Sequence, residues 1–518
     1  MTLWGLWSSR TIVITLAVIV FTVCCILPLT SIVAGAFSVS GGMAATAPVL
    51  LDVRQRGLLF NTAMLGLGTA VSSTLVGAPL GFALARVTLP VKSVLRLVLA
   101  APVLLPPYVV ALAWTYLVAP AAGERAYSLP GAVVVLTIVF YPLSMLATEV
   151  ALRRVESRLE EAGILVARPA SVLRRITLPL AAPSIIAAAL VIFVLGISEF
   201  GVPGVLRVRV FTTEVFTAFA ALYDFRRAAV LALPLAAVSL MMAAVAAMLV
   251  RERTITTRRG LAARSPLAFD AWKQPALVMV GAVIVCAVML PLVVLAAEAQ
   301  RGASIVRAVQ ASRIAVTNSL VLATTGATVV TALAICLAYA RVRVRQQTGT
   351  AMDLLMVLLF TAPSTVVGVG LIGLWNRPGM LGAVYGTAAM PVLGYLARFV
   401  PVATLVVAAA MRSIPMAHEE AAAVSGAGWL RTMARIVLPQ VTRALVAAWA
   451  ISFVLAFGEV GTTILVAPAG ESTLPIRVYT LIANAPPGHV AALALFQSVV
   501  GLCPLILLGT VVTRRETA

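Results

Sequence analysis

Twelve long apolar runs separated by short polar stretches fix what this chain can become. They cover residues 11–37, 58–85, 97–120, 131–152, 180–206 and 228–250 in the first half, and 275–297, 314–340, 352–375, 380–411, 440–467 and 488–512 in the second. A helix needs about 20 mainly apolar residues to cross a hydrocarbon core of about 30 Å. In lipid every backbone N–H and C=O must be satisfied inside the element, which leaves helices and closed barrels. These runs are continuous and lack the ten-residue alternation of a barrel strand, so helices are expected. Composition agrees, with 62% of residues apolar and 11% charged, against about 25% charged in soluble domains. The fold class is therefore all-α integral membrane protein with about twelve transmembrane helices. A soluble enzyme of the usual kind, a disordered chain and a nucleic-acid partner are excluded; the lipid bilayer is the surrounding medium. The first run exceeds the apolar region of about 7–15 residues in a signal peptide, so it is expected to remain as a span despite the small residues Ala45 and Ala47 beyond it.

The net charge of +20 is first of all topology information, because Lys and Arg collect in cytoplasmic loops. Twelve spans put both termini on one side. Sorting the loops accordingly gives 25 Lys and Arg on the side of the termini and 12 on the other, with Arg398 inside a span. Cytoplasmic N- and C-termini follow as the expectation. The five cysteines, Cys24, Cys25, Cys286, Cys336 and Cys503, all lie in apolar runs without a C-x-x-C pattern, so neither a disulfide framework nor a metal cluster is indicated. Lys92 and Lys273 are the only lysines, and neither sits in the G-x-x-x-x-G-K-[ST] loop that cradles phosphates. No cofactor is expected, and no ATP hydrolysis by that route.

The basic stretch Arg251–Lys273 interrupts the chain near its midpoint, and the two sides of it repeat each other. Glu160 and Glu420, Ile176 and Ile436, Pro179 and Pro439, and Glu199 and Glu459 are each separated by 260 residues. One shift that aligns four landmarks implies a duplicated unit. Both halves start on the same side, so the repeat is parallel, with a pseudo-two-fold along the membrane normal. Weaker echoes agree: Asn61-Thr62 with Asn318-Ser319, Ala85-Arg86 with Ala340-Arg341, and PPYVV from Pro106 with PSTVV from Pro363. The expected organisation is a first span and external loop at 1–57, a first repeat at 58–250, a linker at 251–274, a seventh span and loop at 275–313, a second repeat at 314–512 and a tail at 513–518.

One cytoplasmic loop carries a full motif, Glu420-Ala421-Ala422, three residues, Gly426, nine residues, then Ile436-Val437-Leu438-Pro439. The first half keeps Glu160, Ala162, Ile176, Leu178 and Pro179 in register, while Glu161 and Val166 replace the second alanine and the glycine. The pattern E-A-A-x3-G-x9-I-x-L-P resembles the signature of type I binding-protein-dependent ABC importer permeases, and the likeness covers both halves. SEFG at Ser198, GEVGTTILV at Gly458 and TLPIRVYTL at Thr473 make it most like the fused ferric-iron form. The resemblance implies coupling helices that dock into a dimer of ABC ATPase subunits, and cargo delivered by an extracytoplasmic binding protein. Related fused permeases handle thiamine, polyamines or phosphonates, and hydropathy alone equally allows a secondary transporter with two six-helix halves.

Independently of any family, a short Ala-rich helix opened by carboxylates, which suit a helix N-terminus, forms a compact knob. Gly426 permits the tight turn that ends it, and Ile436, Leu438 and Pro439 anchor the return into the next span. The bland alternative is an amphipathic connector at the membrane interface. With Val166 in place of the glycine, the first turn is expected to be looser, and changes at Glu160 or Glu161 milder. Charged groups inside a membrane are costly and mark function or pairing. Glu199 and Glu459, each 20 residues beyond its proline, either face a shared pathway or brace a helix end. For Glu149 and Arg398 an ion-paired or snorkelling role is expected. Glu214 and Glu471 lie in the outer segments between spans five and six of each half, where they are expected to pair with basic residues of a binding protein.

Overall fold

The computed structural model describes residues 9–37, 53–254, 269–302, 305–343, 346–379 and 381–513. Most of the linker, the Ala45–Ala47 region and the last residues of the tail fall outside them. The first half runs α1 (Ser9–Ala36), α2 (Arg54–Arg86), α3 (Lys92–Leu104), α4 (Pro107–Ala126), α5 (Leu129–Arg153), α6 (Ser157–Val166), α7 (Pro169–Ser198), α8 (Phe211–Ala220) and α9 (Phe225–Leu249). The second half repeats this order as α10 (Lys273–Gly302), α11 (Arg313–Arg343), α12 (Met352–Phe360), α13 (Ser364–Trp375), α14 (Ala389–Met411), α15 (Ala417–Val424), α16 (Trp429–Phe457), α17 (Leu474–Leu481) and α18 (Pro487–Pro504). Each element of the first half thus has its counterpart nine places on. Among the described residues there is no strand. Among the described residues ten helices are long and apolar enough to cross a membrane, or up to twelve spans if each of two bent pairs counts as one.

The third and ninth of the expected spans are bent. The α3–α4 pair turns by 89° and the α12–α13 pair by 100°. The breaks fall at Leu105-Pro106 and at Thr361 to Pro363, because proline lacks an N–H and pushes the residue before it out of the helical region. Three other spans also shift. Residues 381–388 are turns and α14 begins only at Ala389, while α7 and α16 stop at Ser198 and Phe457 rather than running on to 206 and 467.

A second proline device recurs four times. Single π turns at Thr22–Ile26, Leu173–Thr177, Val285–Met289 and Met433–Val437 are each followed at once by Leu-Pro, at Leu27-Pro28, Leu178-Pro179, Leu290-Pro291 and Leu438-Pro439. A wider turn accommodates the missing N–H and makes room for the ring against the preceding carbonyl. The L-P of the cytoplasmic motif is thus one instance of a packing rule that also shapes the first span of each half.

Helix α2 packs on α5 and α7 as α11 packs on α14 and α16. Small residues let the first of these pairs approach closely: a Cβ added at Gly77 would stand 2.8 Å from the Ser144 Cβ, and one at Gly81 would stand 2.7 Å from the Thr148 Cβ. In lipid such packing, rather than water exclusion, holds helices together. The first span of each half crosses over. Helix α1 lies against α11, α13 and α14, and α10 lies against α2, α3 and α4. Ser31 Oγ in α1 donates to the Gly370 carbonyl of α13 at 2.7 Å. One continuous core, including Tyr108, Phe200, Tyr395 and Phe457, therefore draws on both halves.

Candidate functional site

Two places gather the residues singled out by sequence: the paired loops carrying α6 and α15, and the centre of the bundle. In the first loop Glu160 turns inward. Its side chain has no exposed surface and accepts from Arg86 Nη2 at 2.6 Å and from Thr177 Oγ1 at 2.9 Å. Arg86, itself buried, also donates to the Leu152 carbonyl at 2.9 Å. One carboxylate thereby ties α6 to the ends of α2 and α5 and to the start of α7. Glu161 and Ala162 are exposed, as are Leu178 and Pro179, while Ile176 is half-buried. Leu165 and Val166 at the end of the helix are 86% and 87% exposed.

The second loop closes differently. Gly426 has φ +77 with open space around it, its N–H reaches the Ala423 carbonyl at 3.0 Å, and the Ala427 N–H reaches that of Ala422 at 3.0 Å. This is a Schellman turn with glycine in the left-handed position. In the first loop, where Val166 stands in its place, the helix continues to Val166 and leaves through an extended Ala167 at φ −146. Glu420 and Ala421 are exposed and Ala422 is buried; Ile436 and Leu438 are half-buried and Pro439 is exposed. The inward carboxylate here is Glu419. It accepts from Arg343 Nε at 2.8 Å and from Tyr339 Oη at 2.8 Å. Tyr339 stands edge-on to Trp429, and Arg10 of α1 lies 5.4 Å over its ring. The shift of 260 residues thus pairs Glu160 with the wrong neighbour in structural terms, since its counterpart is Glu419. Burial and then Arg341 push the Arg412 guanidinium below its usual value, opposed by Asp353 and reinforced by Arg154 of the first half.

At the centre the two loops that follow α7 and α16 meet. A Cβ on Gly201 would stand 3.5 Å from Val460 Cγ1, and one on Gly461 3.5 Å from the Phe200 Cβ. The two helix breaks close around them, with Pro106 beside Gly458 and Ser364 beside Gly461. Glu459 is 2% exposed; it accepts from Arg398 Nη1 at 2.7 Å, from the Thr462 N–H at 2.8 Å and the Thr463 N–H at 2.9 Å, and from the Thr463 hydroxyl. Glu199 is half-buried and accepts from the N–H of Gly201 at 2.9 Å. The two glutamates, equivalent in sequence, thus have unequal surroundings. Arg398 has isoleucine at the corresponding place of the first half, Ile138. Tyr108 Oη bonds Gln497, whose amide donates to the Phe457 carbonyl at 3.2 Å. These two polar residues were missed by sequence reasoning; the PPYVV and PSTVV echoes were the signal that pointed to this place.

The remaining charges are placed plainly. Glu149 is paired with Arg96 and Arg153, each at 2.7 Å. Glu214 pairs with Arg54 at 3.1 Å and is largely buried, which corrects its expected availability to a binding protein, whereas Glu471 is exposed. Among the described residues no group of three or more His, Cys, Asp and Glu is arranged to hold a metal ion.

The profile of the binding-protein-dependent transport system inner membrane component family matches residues 330–516. The Fe(3+)-transport system permease protein FbpB 2 of Haemophilus influenzae is 22% identical over 474 residues, covering 90% of this chain and 92% of that protein. The molybdenum transport system permease protein ModB of Escherichia coli K12 is 33% identical over 158 residues, 27% of this chain and 67% of ModB. The spermidine/putrescine transport system permease protein PotC of Haemophilus influenzae is 25% identical over 199 residues, covering 38% of this chain and 76% of PotC.

Proposed function

Because the chain belongs to the family of binding-protein-dependent transport system inner membrane components, we propose that it forms the whole membrane pathway of an ATP-driven importer, both halves in one polypeptide, and that its cargo is ferric iron. An extracytoplasmic binding protein delivers the cargo, and a dimer of separate ATPase subunits drives alternating access from the cytoplasmic side, where both termini lie. The ATPase engages the paired loops, through Glu161, Ala162, Glu420, Ala421 and their neighbours, with Ile176, Leu178 and Pro179 and Ile436, Leu438 and Pro439 carrying the motion into α7 and α16. The observation that carries this reading is the full E-A-A-x3-G-x9-I-x-L-P motif at Glu420, closed by the Gly426 turn and echoed in the other half.

Iron is favoured because the FbpB 2 alignment runs through both halves, and because the half-buried carboxylate of Glu199 stands where the halves meet, a setting that suits a cation better than an anion. Thiamine, polyamine or phosphonate are the alternative cargoes. The test is uptake of radioactive iron by cells expressing the full set of components. Iron should accumulate only when the ATPase is active, and less in Glu199→Gln. Uptake of thiamine, polyamine or phosphonate without iron would overturn the cargo and leave the permease reading standing.

A further inference from the structure

At the end of the bundle remote from the start of α1, the turn between α8 and α9 in the first half faces the end of α13 and the turns after it in the second. Between them lies a cavity of about 670 Å³, within the range of about 300–1,000 Å³ usual for small-ligand sites. Phe219, Tyr223 and Phe225 wall it on one side, and Asn376, Arg377 and Tyr385 on the other. The corresponding corner of the molecule is closed. There α4 runs on to Ala126, Tyr116 Oη donates to the Pro487 carbonyl at 3.1 Å, and a Cβ on Gly302 would stand 2.7 Å from the Gly488 Cα. Helix α13 has 12 residues and stops at Trp375, so the cavity is the space that a longer helix fills in the other half.

Depth and chemistry together identify the occupant. Phe225 is the first residue of α9 and Trp375 the last of α13, and the Phe225 ring is wedged between Gly35 near the end of α1 and Gly373, where an added Cβ would stand 3.0 Å and 2.7 Å from it. Helix α1 exposes Leu16, Ile19 and Val33, as a span bordering lipid does. The cavity thus lies beside a lipid-facing span, at the level of span ends, where Tyr and Trp sit among headgroups. Its surroundings hold donors without acceptors. Arg377 is exposed and donates from Nε to the Gly373 carbonyl at 3.0 Å, which leaves its two Nη groups for a ligand. Beside the walls, Arg226 Nε, Arg227 Nε and Trp375 Nε1 are buried with no acceptor among the described residues. Asp224 is committed, since it accepts the Arg227 N–H at 2.8 Å and caps α9. Three arginines against one aspartate favour an anion rich in acceptors, and a guanidinium matches phosphate; the aromatic walls favour an anion with an apolar body. We propose that the cavity binds the phosphate headgroup of a membrane phospholipid, with the phosphate on Arg377 and the glycerol and first methylenes against Tyr223, Phe225 and Tyr385, and that the bound lipid steadies α8. Phe219 lies near the end of α8, Phe216 in the same helix stands 4.9 Å from Phe200, and Thr212 at its start donates to the Glu199 carbonyl at 2.9 Å. The lipid therefore sits at one end of a short helix whose other end holds a loop of the centre.

The experiment uses the full chain, stripped of lipid in maltoside detergent, with dioleoylphosphatidylglycerol or inorganic phosphate added back. It reads bound phospholipid by native mass spectrometry, the melting temperature, and hydrogen exchange of the α8 amides. The phospholipid should bind, raise the melting temperature and slow exchange in α8, and inorganic phosphate should do none of these. Arg377→Ala should weaken phospholipid binding about tenfold, the worth of one charge-assisted contact, and leave the lipid-free melting temperature unchanged because the side chain is exposed. Tyr223→Ala, at a residue 89% exposed, should weaken binding without unfolding the chain. Arg125→Ala, at an exposed arginine in the closed corner, should leave binding intact. Equal stabilisation by inorganic phosphate would make the cavity a site for a soluble anion and overturn the assignment. Equal loss in Arg125→Ala would reduce the effect to surface charge and overturn it too, as would unchanged binding in both Arg377→Ala and Tyr223→Ala. Unchanged exchange in α8 when lipid binds would overturn the steadying of that helix. No readout here needs the ATPase or the cargo, so the lipid site can fail while the transport reading stands.

Discussion

Replacing Arg398 with methionine tests how the centre of the molecule is held together. Methionine keeps the stem and removes the guanidinium, so Glu459, 2% exposed, loses its one cationic partner at 2.7 Å. Breaking a buried ion pair from one side costs about 3–5 kcal/mol. Glu459 retains the N–H groups of Thr462 and Thr463 and the Thr463 hydroxyl, which continue to stabilise its charge and place the expected loss near the lower end. We expect about 3 kcal/mol, a shift of roughly a hundredfold in the unfolding equilibrium. Reversible unfolding in mixed micelles measures it. Glu459→Gln made together with Arg398→Met should cost less than the sum of the two single changes, because the uncompensated charge is gone. If Arg398→Met fell within about 0.5 kcal/mol of the unaltered chain, as neutral surface changes do, the pair would be incidental and the central loops would be held by backbone contacts alone.

Gly426→Ala should strain the second loop by about 1–2 kcal/mol, since φ +77 is costly for any residue with a Cβ, and should lower uptake; Val166→Gly should bring no gain, because the chain leaves α6 through an extended Ala167. Glu420→Arg should abolish uptake while the protein still inserts, as read by membrane fractionation and transport together. Gly77→Val should destabilise the α2–α5 contact by about 1–3 kcal/mol, the usual cost of overpacking, seen as a lowered melting temperature. Cysteines placed at Glu124, Arg301 and Glu471 should label from outside the cell and one at Glu420 should not; the reverse pattern would invert the topology.

The membrane class and the duplication were legible because apolar run length and a repeated register survive in one dimension. Gly426 was legible for a related reason, as a left-handed turn after a short helix nearly demands that residue. The breaks at Pro106 and Pro363 were harder, because the flanking residues are apolar enough to pass as one continuous span, and only the proline pair hinted otherwise. Direction was not legible at all. Glu160 and Glu419 each open a Glu-Glu-Ala triplet and both turn inward, but the 260-residue register of the motif sets Glu160 beside Glu420, which is exposed, and the triplets alone do not say which carboxylate is held. Glu160 was expected to be a tolerant site, while its carboxylate is buried against Arg86, and a buried charge is costly to disturb. Arg398 likewise looked isolated, since its partner Glu459 lies 61 residues away and its counterpart Ile138 carries no charge.

What powers the chain separates an importer permease from a secondary transporter. Proteoliposomes holding the full chain and its ATPase, supplied with the binding protein and radioactive iron, decide it by comparing ATP with ion gradients as the energy source. Uptake that requires ATP inside the compartment facing the loops, requires the binding protein on the other side, and is indifferent to proton and sodium gradients is the predicted result. Uptake driven by a proton or sodium gradient without ATP would contradict it and make the chain a secondary transporter.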